Sequence, residues 1–229
     1  MNALALPEVI DRLKPEFLAA AALKVADSAI VFGSSEYALA LRAAAKARGV
    51  AFPNGEDGAP GLALTRAAVL VGLVDRPGGP TVLLTQRTAH LADHGGQISF
   101  PGGRKEEQDA DIVAAALREA EEEVGLPPSA IAVAGALEDH GTVSGYRVTP
   151  VVGVIRPPFT LKLDAFEVAD AFEVPFAFVC DPANRRREEV VRGGVARDLY
   201  TISWQGRRIW GFTARILVRV ADIVSGAAH

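Results

Sequence analysis

A chain of 229 residues, 49% of them apolar and 23% charged, can bury a full core and is not the composition of a disordered protein. Its formal net charge of −4 argues against a nucleic-acid platform, which would carry a basic face. One cysteine, Cys180, excludes an intramolecular disulfide and a cysteine-rich zinc centre, and no apolar run approaches the ~20 residues of a membrane span.

The N-terminal stretch MNALALPEVIDRLKPEF has Glu8 and Asp11 where a signal peptide would be uninterrupted and apolar, so a cytoplasmic protein is expected. The first third is alanine-rich and helical in pattern. SSEYALALRAAAKARG (34–49) predicts a helix capped by Ser34 or Ser35 and stopped at Gly49, with Lys46 and Arg48 suited to its C-terminal dipole. FPNGEDGAPG (52–61) reads as a linker. Residues 1–62 are thus expected to form a helical N-terminal extension and residues 63–229 the main domain.

Strand-like runs follow. LALTRAAVLVGLVD and TVLLTQR flank RPGGP, which suits a hairpin. A helix is expected from about Ala110 to Val124, with Asp109 or Asp111 as its cap. IAVAGALED and YRVTPVVGVI supply two more strands, and the basic run Arg185-Arg186-Arg187 with Glu188 and Glu189 reads as a solvated loop. LYTISW and RRIWGF suit a hairpin about Gln205-Gly206. The last helix, FTARILVRVADIV, sets Ile216, Leu217, Val220 and Ile223 on one side. Mixed strands with few helices predict an α/β (α+β) fold, with helices on both faces of a sheet.

The chemistry concentrates in LREAEEEVGLPP (117–128), where acidity is densest at the end of a helix. Anions there oppose the helix dipole by up to about 1 kcal/mol each, and like charges three or four apart cost roughly 0.2–0.5 kcal/mol more per pair. Glu119, Glu122 and Glu123 fall at i, i+3 and i+4 and share a face, while Glu121 points elsewhere. A solvated charged face is one explanation. Relief by a hard divalent cation, Mg²⁺ or Mn²⁺, is the other, and the preceding loop favours it. QISFPGGRKEEQDAD places a Pro-Gly-Gly turn where backbone carbonyls can approach an ion, and alanines 114, 115, 116 and 120 keep the helix slim.

These residues resemble the motif of the Nudix hydrolases, G-x5-E-x7-R-E-U-x-E-E-x-G-U with U aliphatic. Arg118-Glu119-Ala120-Glu121-Glu122-Glu123-Val124-Gly125-Leu126 matches its second half. The first half departs: Asp109 stands where the motif has Glu, and eight residues rather than seven separate it from Arg118. One extra residue at the loop–helix junction leaves the helix face unrotated, so the departure touches Asp109 and not the glutamates. The resemblance implies a Nudix-type α/β/α sandwich with a mixed sheet. It also implies metal ligation by Glu119, Glu122, Glu123 and the Gly103 carbonyl, with Arg118 orienting one glutamate through a bidentate salt bridge. The implied reaction is hydrolysis of a diphosphate linked to another group, aided by metal. A further carboxylate, as base or extra ligand, is expected from DAFEVADAFEVPF. Glu167 is preferred there, since Glu173 alternates with Phe172 and Val174 and would face solvent from a strand.

Upstream, LLTQRTAHLADHGGQISFPGG (83–103) resembles the extended motif of the coenzyme A pyrophosphatases within that family. Arg87, Leu91, His94, Gly96, Gln97 and Phe100-Pro101-Gly102-Gly103 match it. Thr88 replaces the usual Ser, and Ala92 replaces an Arg. The branch implies coenzyme A or its acyl thioesters as substrate, giving (acyl-)4′-phosphopantetheine and adenosine 3′,5′-bisphosphate. Arg87 and Gln97 are expected to contact substrate, Arg104 to offset the loss at Ala92, and Tyr146 to stack on a base or line the cleft. His90, His94 and His140 are too scattered for a metal triad and are read as structural. ADP-ribose or another nucleotide sugar remains open as substrate, as does a catalytically silent nucleotide sensor. The expected partner is a small nucleotide diphosphate, with no nucleic acid or membrane, and the unassigned N-terminal third leaves room for a homodimer.

Overall fold

A computed structural model describes residues 4–25, 64–91, 94–142, 144–192 and 195–226. The helix expected over 34–49, the linker at 52–61, the 62/63 boundary and Ala92 lie outside the described residues.

The described chain begins with helix α1 (Leu6–Val25), then hairpin strands β1 (Thr65–Val74) and β2 (Thr81–Arg87). Two short strands follow, β3 (Ile98–Ser99) and β4 (Gly102–Arg104), leading into helix α2 (Ile112–Val124). Strands β5 (Ile131–Ala136), β6 (His140–Gly141), β7 (Tyr146–Ile155) and β8 (Val168–Pro175) complete an 8-stranded sheet. A short helix α3 (Phe176–Cys180) leads to a 3-stranded sheet of β9 (Arg185–Arg192), β10 (Val195–Trp204) and β11 (Arg207–Trp210), and helix α4 (Gly211–Ser225) closes the described chain. No described helix is long and apolar enough to cross a membrane.

The large sheet is mixed: β1 runs parallel to β7 along its whole length, from Thr65↔Tyr146 to Val74↔Ile155, while β2 and β4 pair with β1 antiparallel. The Gln205-Gly206 turn holds both residues at positive φ, 46° and 77°, as a tight hairpin needs.

Central strands are apolar on both faces because both are covered. On one face α2 sets Ala115 and Ala116 against Ala68 and Val151, and Ala120 and Val124 against Leu70 and Ile155. On the other, Val71, Leu73 and Val152 meet α1, α3, α4 and the small sheet. Helix α1 enters this core through Leu6, Val9, Leu13 and Phe17, at spacings of three and four residues. Each such side chain contributes roughly 1.5–3 kcal/mol on burial. Arg12 donates to the Val224 carbonyl (2.5 Å) and Glu16 pairs with Arg219 (3.0 Å), so α1 and α4 are joined by polar contacts as well.

The basic run at 185–187 forms strand where a loop was expected, while Arg186 and Arg187 are exposed as expected. It begins strand β9, paired in register with β10. Arg185 is mostly buried against Asp222 and donates to the carbonyls of Val179 (2.7 Å) and Cys180 (2.9 Å). A charge 37 residues away along the chain makes this burial feasible, and no local pattern announces it.

Candidate active site

Helix α2 is positioned by its two ends. Asp111 caps the start, its carboxylate accepting from Ala114 N–H at 2.8 Å, so the cap is Asp111 and not Asp109. At the other end Gly125 adopts the left-handed conformation (φ 68°) that a closing helix needs. The last carbonyls are taken by a following loop: Lys162 N–H donates to Val124 O and Asp164 N–H to Glu123 O, both at 2.9 Å. That loop carries Glu167.

Strand β4 lies beside β1, with Gly103 opposite Ala68. The slim alanine face lets α2 come so close that a Cβ placed on Gly103 would fall 2.5 Å from Cδ of Glu119. Only glycine leaves this backbone open to the carboxylate. Gly102 N–H donates to Glu123 Oε2 at 3.3 Å. The Pro-Gly-Gly turn and the glutamate face therefore meet.

Arg118 fans out over this junction. Its Nε and Nη2 grip the two oxygens of Asp109 (3.0 and 3.2 Å), Nη1 reaches Glu122 (2.7 Å), and Nη2 also reaches Glu119 and the Arg104 carbonyl (3.0 and 2.9 Å). The bidentate contact thus goes to Asp109 and not, as expected from the motif, to a glutamate. Asp109 is buried, accepts from Glu106 N–H at 2.8 Å, and is held below the usual carboxylate range first of all by Arg118. The sequence left its role open. It anchors the arginine that spreads over the glutamates.

The carboxylates differ in setting. Glu123 is 3% exposed, Glu119 is mostly buried, and the Glu122 side chain is 59% exposed. Burial pushes Glu123 up to about 8; Arg87 opposes this, with Nη1 3.6 Å from Oε1, and repulsion from Glu119 and Glu167 adds to it. Glu119 is also raised, by burial first, against the opposing pull of Arg118, with Glu122 and Glu167 adding repulsion. The structure therefore brings Glu167 into one electrostatic neighbourhood with Glu119 and Glu123.

Among the described residues no three His, Cys, Asp or Glu side chains form a preformed cation cage, and Arg118 and Arg87 pair with these carboxylates. The donor set nevertheless fits a hard divalent ion: buried, mutually repelling carboxylate oxygens beside a glycine backbone, with nitrogen and sulfur donors absent from the group.

The expected substrate contacts divide. Arg87 joins the cluster through Glu123, and its N–H donates to Gln97 O at 2.9 Å. Gln97 meets His94 Nδ1 at 3.1 Å. Arg104 and Tyr146 form a separate pair, with Arg104 Nη2 2.6 Å and Nε 3.0 Å from the phenol oxygen. By register they alternate with Gly103 and Ala68, which face α2, so this pair projects from the opposite sheet face. His140 packs edge-on to Phe212 and is pushed down to about 4, chiefly by burial. Glu173, expected to face solvent, is half-buried in a grip from Arg76 (2.5 Å) and Thr81.

The NUDIX domain model matches residues 64–178. NudL, an uncharacterized Nudix hydrolase of Escherichia coli O157:H7, is 43% identical over 156 residues, 68% of this chain and 81% of that one; the NudL of Shigella boydii serotype 18 matches to the same extent. Among solved structures, the Nudix hydrolase RenU of M. smegmatis is similar with a TM-score of 0.49 at 21% identity, covering 76% of this chain and 94% of that one. The NUDIX domain of Shewanella oneidensis NrtR, complexed with ADP ribose, has a TM-score of 0.40 at 21% identity, covering 51% and 76%. With the domain matched across the loop and helix just described, and NudL similar over 81% of its length, the chain belongs to the Nudix family of hydrolases, which generally use divalent metals.

Proposed function

We propose that this pyrophosphatase uses Mg²⁺ or Mn²⁺ to hydrolyse the diphosphate of coenzyme A or acyl-coenzyme A, giving 4′-phosphopantetheine (or its acyl form) and adenosine 3′,5′-bisphosphate. The observation that carries the metal-dependent part is the meeting of Glu119 and Glu123 with the Gly102-Gly103 turn, where burial first, and then repulsion from Glu119 and Glu167, raises Glu123 to about 8. The coenzyme A part is supported by the extended motif at 83–103, whose Arg87 and Gln97 lie beside that cluster.

In this reading Glu119, Glu122, Glu123 and the Gly103 carbonyl hold the ion, and Arg118, anchored by Asp109, orients Glu119 and Glu122. When bound, the ion neutralises diphosphate charge and acidifies water. Glu167 accepts the proton of the attacking water. Arg87 and Gln97 contact the diphosphate from the cluster side, and Arg104 and Tyr146 contact a more distant part of the substrate from theirs. Arg104 takes on the cationic role that Ala92 leaves open.

Turnover of coenzyme A, 3′-dephospho-coenzyme A and ADP-ribose, with Mg²⁺ or Mn²⁺ and products identified by mass spectrometry, tests the substrate. The expected result is the highest kcat/KM for coenzyme A or its acyl form. A preference for ADP-ribose would replace it with the nucleotide-sugar reading, and binding without turnover of any of the three would leave a sensor.

A further inference from the structure

We propose that Thr88 is a positioning residue for Glu167, fixing the loop glutamate over the helix glutamates through its hydroxyl and its backbone N–H. This rests on the role given to Glu167 above. Leu161 and Leu163 pack the start of the loop onto the core, but at its tip Phe166 is 66% exposed and meets His90 edge-on at 4.9 Å. Polar contacts hold the tip. On the side of α2, Asp164 N–H reaches Glu123 O at 2.9 Å and its carboxylate accepts from Phe166 N–H at 2.8 Å. On the far side both contacts come from one residue: Thr88 Oγ1 donates to Phe166 O at 2.7 Å, and Thr88 N–H donates to Glu167 O at 2.9 Å.

The position of Thr88 makes these contacts more than a strand ending. Pairing of β2 with β8 shifts register between Gln86 and Arg87, and Arg87↔Val168 is its last pair. Thr88 stands one residue beyond, where its backbone N–H still reaches Glu167 O and its side chain adds a second contact, to Phe166 O. It is 7% exposed, where a hydroxyl with no partner would be costly. Its neighbour Arg87 pairs with the Glu123 side chain, so two consecutive residues contact the helix glutamate and the backbone of the loop glutamate. Serine would present the same donor. Valine would set a methyl against the Phe166 carbonyl and leave that oxygen unpaired.

A double-mutant cycle with Thr88→Val, Thr88→Ser and Glu167→Gln tests this, using Mg²⁺ and the fastest substrate of the panel above. Thr88→Val is expected to lower kcat about tenfold or more, since small displacements of a reacting group carry penalties of that order. Thr88→Ser is expected to stay within about twofold of the parent. In the Glu167→Gln background Thr88→Val should cost nothing further. In metal-free protein, amide exchange across 164–168 should quicken in Thr88→Val and not in Thr88→Ser. Equal losses in both backgrounds, unchanged exchange, or a serine variant as impaired as valine would overturn the proposal. Full activity in Glu167→Gln alone would instead remove the role of Glu167, and that of Thr88 with it. Thr88→Ala is the second truncation; if neither valine nor alanine folds, the hydroxyl is structural and the proposal fails.

Discussion

Glu122→Gln is expected to lower kcat with Mg²⁺ by on the order of 10²- to 10³-fold while the melting temperature stays within about 2 °C of the parent. The asymmetry follows from where the side chain sits. Glu122 is the most exposed of the three helix glutamates, and its one described ion pair is with Arg118, which keeps Asp109 and Glu119 when Glu122 is neutralised. Folding therefore loses a surface pair worth about 0–1 kcal/mol, whereas a cation loses a charged oxygen donor. Steady-state kinetics and thermal melts on the same preparations check both halves. Full activity in the variant would remove Glu122 from the ligand set.

The second large effect is on stability. In metal-free protein, Glu123 is held up to about 8 by burial, while the unfolded chain titrates near the ordinary glutamate value of about 4.3. A raised carboxyl stabilises the fold fully below the unfolded pKa and loses that contribution as pH rises toward the folded one. Stability should fall by up to about 1.4 kcal/mol per pH unit across that window and level off beyond it. Glu119 is shifted in the same direction and adds to the slope. Saturating Mg²⁺ or Mn²⁺ favours the ionised form, so its stabilisation should be larger at about pH 8 than at about pH 5.5. Glu123→Gln should flatten the slope. Melting temperatures in chelator and in metal across this range decide it; a flat metal-free profile in the parent would mean that Glu123 is ionised throughout.

What could be read from the sequence was what local periodicity and local chemistry write. The strands around Leu70 and Val152 are legible because burial on both faces leaves continuous apolar runs. The slim face of α2 is legible in Ala115, Ala116 and Ala120, and its acidic face as i, i+3, i+4 spacing. The anchoring of Arg118 was not legible, since Asp109 departs from the motif and its partner lies nine residues on, across a loop–helix junction. Nor was the separation of Arg104 and Tyr146 from the carboxylates, which depends on the register of two strands with β1. Asp164 and Thr88 carry only weak signals, a turn-forming acid and a hydroxyl after a strand. Their importance comes from what they touch across the fold. Arg185 makes the same point: in a run whose Arg186 and Arg187 stay exposed, it too reads as solvated until its distant acid is known.

Anomalous scattering from manganese-soaked crystals addresses the carboxylate cluster most directly. An ion bonded to Glu119, Glu122 or Glu123 oxygens beside the Gly103 carbonyl, with Arg87 drawn off Glu123, is the expected result. Full manganese with no peak there, and the three glutamates still held by arginine or turned into bulk solvent, would contradict it.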